Sequence, residues 1–287
     1  MTALAILLVL ISAAMHAIWN YIAKRATANG AVFTWMFGAM EFFTLGPLAL
    51  VALVQGGSAL TPMDVLFIVG SAALHLLYFL LLAAGYRRGE LSLVYPLSRG
   101  TGPLFVTVGA VLLLGEQPTP QALLATLLIG AGVIALSGDP RSLRRSAALP
   151  GLLYGLLTAL SIAAYSLWDS YAMSRLLIAP VVYSWTIGWL RAVFLTPYVL
   201  THRQEVRRAW AVDRWRALAV ALLSPGSYIL ILTALTFSPV SYVAPLRSVS
   251  ILIGVLLGAQ LLREGNARWR LAGAAAMVAG AALLGAA

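Results

Sequence analysis

Cysteine is absent from the 287 residues, which excludes disulfides, thiolate metal sites and thiol nucleophiles. Charge is nearly as scarce, with 10% of residues Asp, Glu, Lys or Arg against 61% hydrophobic. That is too little polar sequence to cover so large an apolar load, so a single water-facing core is excluded. Acidic side chains are the rarest charge, 9 against 19 Lys and Arg. The basic residues lie in short links between apolar runs and form no hydrophilic domain, so nucleic acid is not an expected partner. The three His make no paired-His metal motif. There is no Gly-x-x-x-x-Gly-Lys phosphate loop and no nucleophile elbow. No metal, no cofactor and no ATP-driven pumping are therefore expected. The first apolar run starts almost at Met1 without a basic n-region or a small-residue cleavage site, and reads as a retained helix.

What is present is a series of apolar runs about 20 residues long, the length that the hydrocarbon thickness demands of a helix. They predict ten spans, at 3–23, 31–54, 64–85, 92–114, 120–137, 150–172, 181–201, 217–235, 242–262 and 269–286. The lipid bilayer is then the solvent of an all-α integral membrane protein. Odd-numbered links hold most of the basic residues, from Lys24 and Arg25 through Arg141, Arg144 and Arg145 to Arg268 and Arg270, whereas even-numbered links hold only Arg175. Because Lys and Arg are retained on the cytoplasmic side, this bias puts the odd links in the cytoplasm of a cell with an inner membrane and both termini outside.

Compared with itself at a shift of about 149 residues, the chain repeats. Trp19-Asn20 falls on Trp168-Asp169, and Tyr95-Pro96-Leu97-Ser98-Arg99 on Ala244-Pro245-Leu246-Arg247-Ser248. Leu113-Leu114-Gly115-Glu116 falls on Leu261-Leu262-Arg263-Glu264 with one residue less. Five spans per half is an odd number, so the second half enters the membrane from the opposite side. The result is ten transmembrane helices in two inverted five-helix repeats, a recurring plan of secondary transporters whose substrate site lies between the halves.

On these residues the chain resembles the drug/metabolite transporter superfamily in its ten-helix form. The motifs are the Trp-Asn and Trp-Asp positions of spans one and six, the Pro-containing spans four and nine, and Gly115-Glu116 or Arg263-Glu264 before a Gly-rich span. The resemblance implies two EamA-type repeats, 1–138 and 150–287. It also implies a metabolite or amino-acid exporter, or in some members an importer, without selecting a substrate. Members are commonly drawn with cytoplasmic termini, opposite to the charge count.

Arg99, Arg191, Arg247, Glu41 and Asp169 lie well inside spans. Facing lipid, each would cost about 2.5–3.5 kcal/mol, roughly 15 kcal/mol together, so they must face one another or water. Three cations against two carboxylates leave one cation over, which points to a small-molecule substrate bearing a carboxylate or phosphate. Arg99, a turn beyond Pro96 and before Gly100, Gly102 and Pro103, is the first candidate contact, in a span expected to break locally. Arg247 beside Pro245 is its counterpart. The alternative is that both Arg pair with Glu41 and Asp169 and only hold the bundle together. Trp19, Asn20, Trp168, Asp169 and Tyr95 complete the substrate-binding set, and Asp169, Glu41 and His16 are candidates for proton coupling. Glu116 and Glu264 suit capping or gating at a membrane face. Glycines 130, 132, 273 and 280 suit close helix packing or a dimer face, and no oligomeric state follows from them.

These features predict a secondary transporter of a small polar metabolite, anionic or zwitterionic, working by alternating access. The rival is a membrane-embedded enzyme or lipid-handling protein that uses the intramembrane carboxylates. The duplication and the scarcity of His count against it.

Overall fold

The computed structural model describes residues 1–55, 60–88, 91–136, 149–253 and 267–287. Every regular element among them is helical: α1 (Ala3–Lys24), α2 (Gly30–Gln55), α3 (Pro62–Arg88), α4 (Leu91–Leu114) and α5 (Pro120–Leu136) in the first half. The second half has α6 (Leu149–Ser174), α7 (Pro180–Thr201), α8 (Arg203–Leu235), α9 (Val240–Arg247) and α10 (Ala267–Gly285). Six described helices are long and apolar enough to cross a membrane.

Local chemistry sets the starts. Pro opens α3, α5 and α7, where its missing N–H costs nothing and its fixed φ suits the first turn. Thr61 precedes Pro62 and forms a reciprocal cap with Asp64: Asp64 N–H donates to Thr61 Oγ1 at 3.2 Å, and Thr61 N–H donates to Asp64 Oδ2 at 2.8 Å. Thr119 does half of this for α5, accepting from Ala122 N–H at 3.2 Å.

Packing is small-inside and large-outside. Ala5, Ala13, Ala110, Ala125, Ala172 and Ala217 are fully or almost fully buried, while Phe43, Leu112, Leu113 and Leu271 lie on the surface. An apolar exterior of this kind suits hydrocarbon, and small residues let helices approach where lipid offers no hydrophobic drive to associate. The helix pairings are related by exchange of the halves. The α1–α8 contact is matched by α6–α3, α2–α8 by α7–α3, and α4–α5 by α9–α10, while α2–α7 and α5–α10 join equivalent helices.

The α5–α10 seam accounts for most of the predicted small-residue positions. A Cβ on Gly132 would lie 2.8 Å from the Gly273 carbonyl oxygen, and one on Gly280 would lie 2.9 Å from that of Ala125. Gly130 meets Gly100 across α4–α5 in the same way. These glycines are spent on contacts inside the chain and do not form a dimer face.

Two expectations from the sequence are corrected. Span eight, expected at 217–235, is the end of a helix that begins at Arg203. Its 33 residues reach about 50 Å, beyond the ~30 Å of hydrocarbon, so the polar link simply continues the helix. The Asp213 carboxylate fixes this extension, accepting from Thr27 N–H (2.9 Å), Thr27 Oγ1 (2.8 Å), Ala28 N–H (3.0 Å) and Arg216 Nη1 (2.6 Å). Span four was expected to break at Pro96–Pro103, yet α4 is one continuous helix. Its glycines serve close packing instead, Gly100 against Gly130 and Gly102 against Ile162. The break lies in the matching span nine, where α9 ends at Arg247 and the chain turns at Ser248 before a further helical stretch, 249–253.

Candidate functional site

Interior charge sits on α2, α4, α6, α7 and α9, and α3 and α8 bring hydroxyl and ring partners to it. Asp169, 1% exposed, is the most heavily bonded group. Its Oδ1 accepts from Ser71 Oγ at 2.6 Å and from Tyr183 Oη at 2.7 Å, and its Oδ2 accepts a short hydrogen bond from Tyr228 Oη. Three hydroxyl donors on three different helices satisfy this carboxylate without a cation. His75 adjoins the cluster, with Nδ1 2.9 Å from the Ser71 carbonyl oxygen and its ring stacked on Tyr165 at 4.2 Å.

Glu41 is equally buried and pairs instead with Arg191, whose Nη2 lies 3.3 Å from Oε2. The guanidinium also faces the ring of Phe37 at 5.0 Å and that of Phe79 at 5.9 Å, a desolvated setting that favours cation–π contact. This pair ties α2 to α7.

The two remaining arginines occupy matched settings. Arg99 donates from Nη2 to Tyr78 Oη at 2.5 Å, with its guanidinium carbon 5.5 Å from that ring's centroid. Arg247 lies 5.6 Å from the centroid of Tyr228. Tyr78 lies on α3 and Tyr228 on α8, the third helix of each half, so each half places an Arg from its Pro-containing helix over a Tyr of its third helix. Neither arginine is bonded to Glu41 or Asp169, so the expected alternative of direct pairing with those carboxylates does not hold among the described residues. His16 on α1 lies within electrostatic range of both Arg99 and Arg247. Its ring meets Trp19 edge-on at 4.9 Å.

The model of the EamA-like transporter family matches residues 3–138 and again residues 149–286. The chain belongs to the EamA-like transporter family. An EamA-like chain is a multi-pass membrane protein of a transporter family, and its two matches fall on the two five-helix halves. A solved structure described only as "Crystal structure of protein" shares the fold with a TM-score of 0.72 at 17% identity, over 99% of this chain and 96% of that one. No curated protein matches the chain.

The predicted site residues of this EamA-like chain scatter more than their sequence spacing suggests. Arg99, Arg247, Asp169 and His16 gather in the interior. Trp168 packs on the scaffold: it donates Nε1 to the Phe67 carbonyl at 2.8 Å, stacks on Phe67 at 4.3 Å and lies against Gly70. Trp19 leaves a buried Nε1 without a hydrogen-bond partner among the described residues. Asn20, the counterpart of buried Asp169, is exposed and donates Nδ2 to the His16 carbonyl at 2.6 Å. The Tyr95 side chain and Glu264 lie outside the described residues. Glu116 is a cap: its Oε1 and Oε2 accept from Val240 and Ser241 N–H at 2.9 and 3.0 Å, at the start of α9. Sequence reasoning missed Ser71, Tyr183 and Tyr228 as ligands of Asp169.

Proposed function

We propose that this chain is a secondary transporter that moves a small polar metabolite, anionic or zwitterionic, by alternating access between its two inverted halves. The matched Arg99–Tyr78 and Arg247–Tyr228 pairs carry this reading, because they bring one guanidinium from each half to the interior where the halves meet. In the proposed site Arg99 and Arg247 contact the substrate's anionic group, and Trp19 and Asn20 border it on the α1 side. Asp169, Glu41 and His16 are the proposed proton carriers, and Asp169 is the strongest of the three because its hydroxyl partners connect three helices that must move relative to one another. The charge bias supports an inner-membrane protein with both termini outside.

The test is uptake and counterflow in proteoliposomes with radiolabelled organic acids and amino acids. Wild-type protein should exchange at least one of them. Arg99→Ala and Arg247→Ala should fall to the empty-liposome rate while still reconstituting as folded protein. Uptake that ignores an imposed pH gradient would remove the proton carriers and leave the transporter standing. Full exchange by both arginine variants would remove the site.

A further inference from the structure

Sorting the interior polar groups into hydrogen-bond donors and acceptors gives an uneven result. Both interior carboxylates among the described residues are committed. Glu41 faces Arg191, and Gly188 lies so close to Glu41 Oε2 that a side chain there would overlap it. Asp169, 1% exposed, already accepts from Ser71, Tyr183 and Tyr228. The donor side has capacity to spare. Arg247 meets the face of Tyr228 and has no hydrogen-bond or ion-pair partner among the described residues. The buried side-chain atoms without a partner include Trp19 Nε1, Trp189 Nε1 and Arg191 Nε, all N–H donors, and the hydroxyls of Thr107 and Ser241, which can donate. None of these five is an acceptor-only oxygen.

The three arginines and the Trp19 donor also share one region. His16 is within electrostatic range of Arg99 and Arg247, and His75 is within range of Arg191 and Arg247. Trp19 touches His16, and Phe79, which carries Arg191, packs edge-on against Tyr78, which carries Arg99, at 5.0 Å. A ligand with only acceptor oxygens satisfies such a surface. A ligand that also brings an ammonium finds no uncommitted carboxylate among the described interior residues and meets Arg99 and Arg247, two guanidinium groups of its own sign that pair with neither Glu41 nor Asp169.

We propose that the substrate is purely anionic, an organic acid or a phosphate ester without an ammonium group, so that amino acids are not its cargo. Arg247 takes the anionic group, in the bidentate manner that a planar guanidinium favours. This rests on the transporter reading and narrows it.

Matched probes test it on the full-length protein in detergent at constant ionic strength. Lactate against alanine, glutarate against glutamate, and glycerol 3-phosphate against phosphoserine each differ chiefly by the ammonium. Thermal unfolding should shift upward with one ammonium-free series and not with its amino-acid partners, and the responding series separates carboxylate from phosphate chemistry. Arg247→Gln should weaken that response about tenfold or more, and Arg247→Lys, which keeps the charge but loses the fork, should weaken it less. Equal stabilisation by alanine and lactate, or by the other pairs, would overturn the proposal. So would an unchanged response in folded Arg247→Gln, or no shift with any probe. Counterflow separates the two readings. Alanine exchange without lactate exchange keeps the transporter and sinks the pure-anion substrate, whereas lactate binding with no flux of any probe does the reverse.

Discussion

Asp169 shows how a carboxylate can sit in the interior of a membrane protein without a cation beside it. Two oxygens take three hydroxyl donors, so the charge is spread over α3, α7 and α8. Removing the acceptor leaves the Tyr228 hydroxyl without its partner, at ~1–3 kcal/mol if water does not replace it, whereas Tyr183 can still donate to the Phe67 carbonyl oxygen at 3.2 Å and Ser71 lies 3.3 Å from His75 Nδ1. Asp169→Ala should therefore lower unfolding stability by about 1–3 kcal/mol in a denaturant titration, and Tyr228→Phe by less. A double-mutant cycle should show the two strongly coupled, and additive effects would mean that the hydrogen bonds contribute little. The position itself was legible, because a charge inside an apolar run stands out. Its partners were not, since Ser and Tyr are common in every span and only the packing of four helices selects Ser71, Tyr183 and Tyr228. The same holds for Glu41 and Arg191, whose partnership across 150 residues leaves no local trace.

At the scale of elements, α4 and α9 show where repeat symmetry gives way. Both contain Pro at a matched position and an Arg within three residues of it, and the sequence predicts a break in α4. The glycines of α4 instead meet α5 and α6 closely, which keeps that helix intact, while α9 turns at Ser248 directly after its arginine. Glycine reads the same in sequence whether it unwinds a helix or lets a neighbour in, so this choice was not legible. The start of α9 is held from outside by Glu116, which follows the turn at Gly115 (φ +70°) and supplies both acceptors for the Val240 and Ser241 N–H groups. Replacing Glu116 with Ala should cost about 1–2 kcal/mol of stability, the upper range for a lost helix cap, and Glu116→Gln should recover part of it. Equal stability of Glu116→Ala and wild type in thermal unfolding would show that water caps α9 as well.

For the whole molecule, the repeat was the most legible property. An odd number of spans per half, read from run lengths alone, already requires inversion, and the paired helix contacts follow it. Orientation in the membrane is a separate matter, decided by loop charge and not by fold. The absence of cysteine gives it a direct assay, since any introduced thiol is unique. With both termini outside, a membrane-impermeant maleimide should label Leu177→Cys in intact cells and Gln204→Cys only after permeabilisation. The opposite pattern would place both termini in the cytoplasm.

The α5–α10 seam joins one helix from each half, backbone against backbone at Gly132 and Gly273. A surface of that kind does not need the peptide link between α5 and α6 to find its partner. Two separate five-helix polypeptides, produced together, should meet along the same glycine-lined faces. In that sense the molecule is a heterodimer written as a single chain.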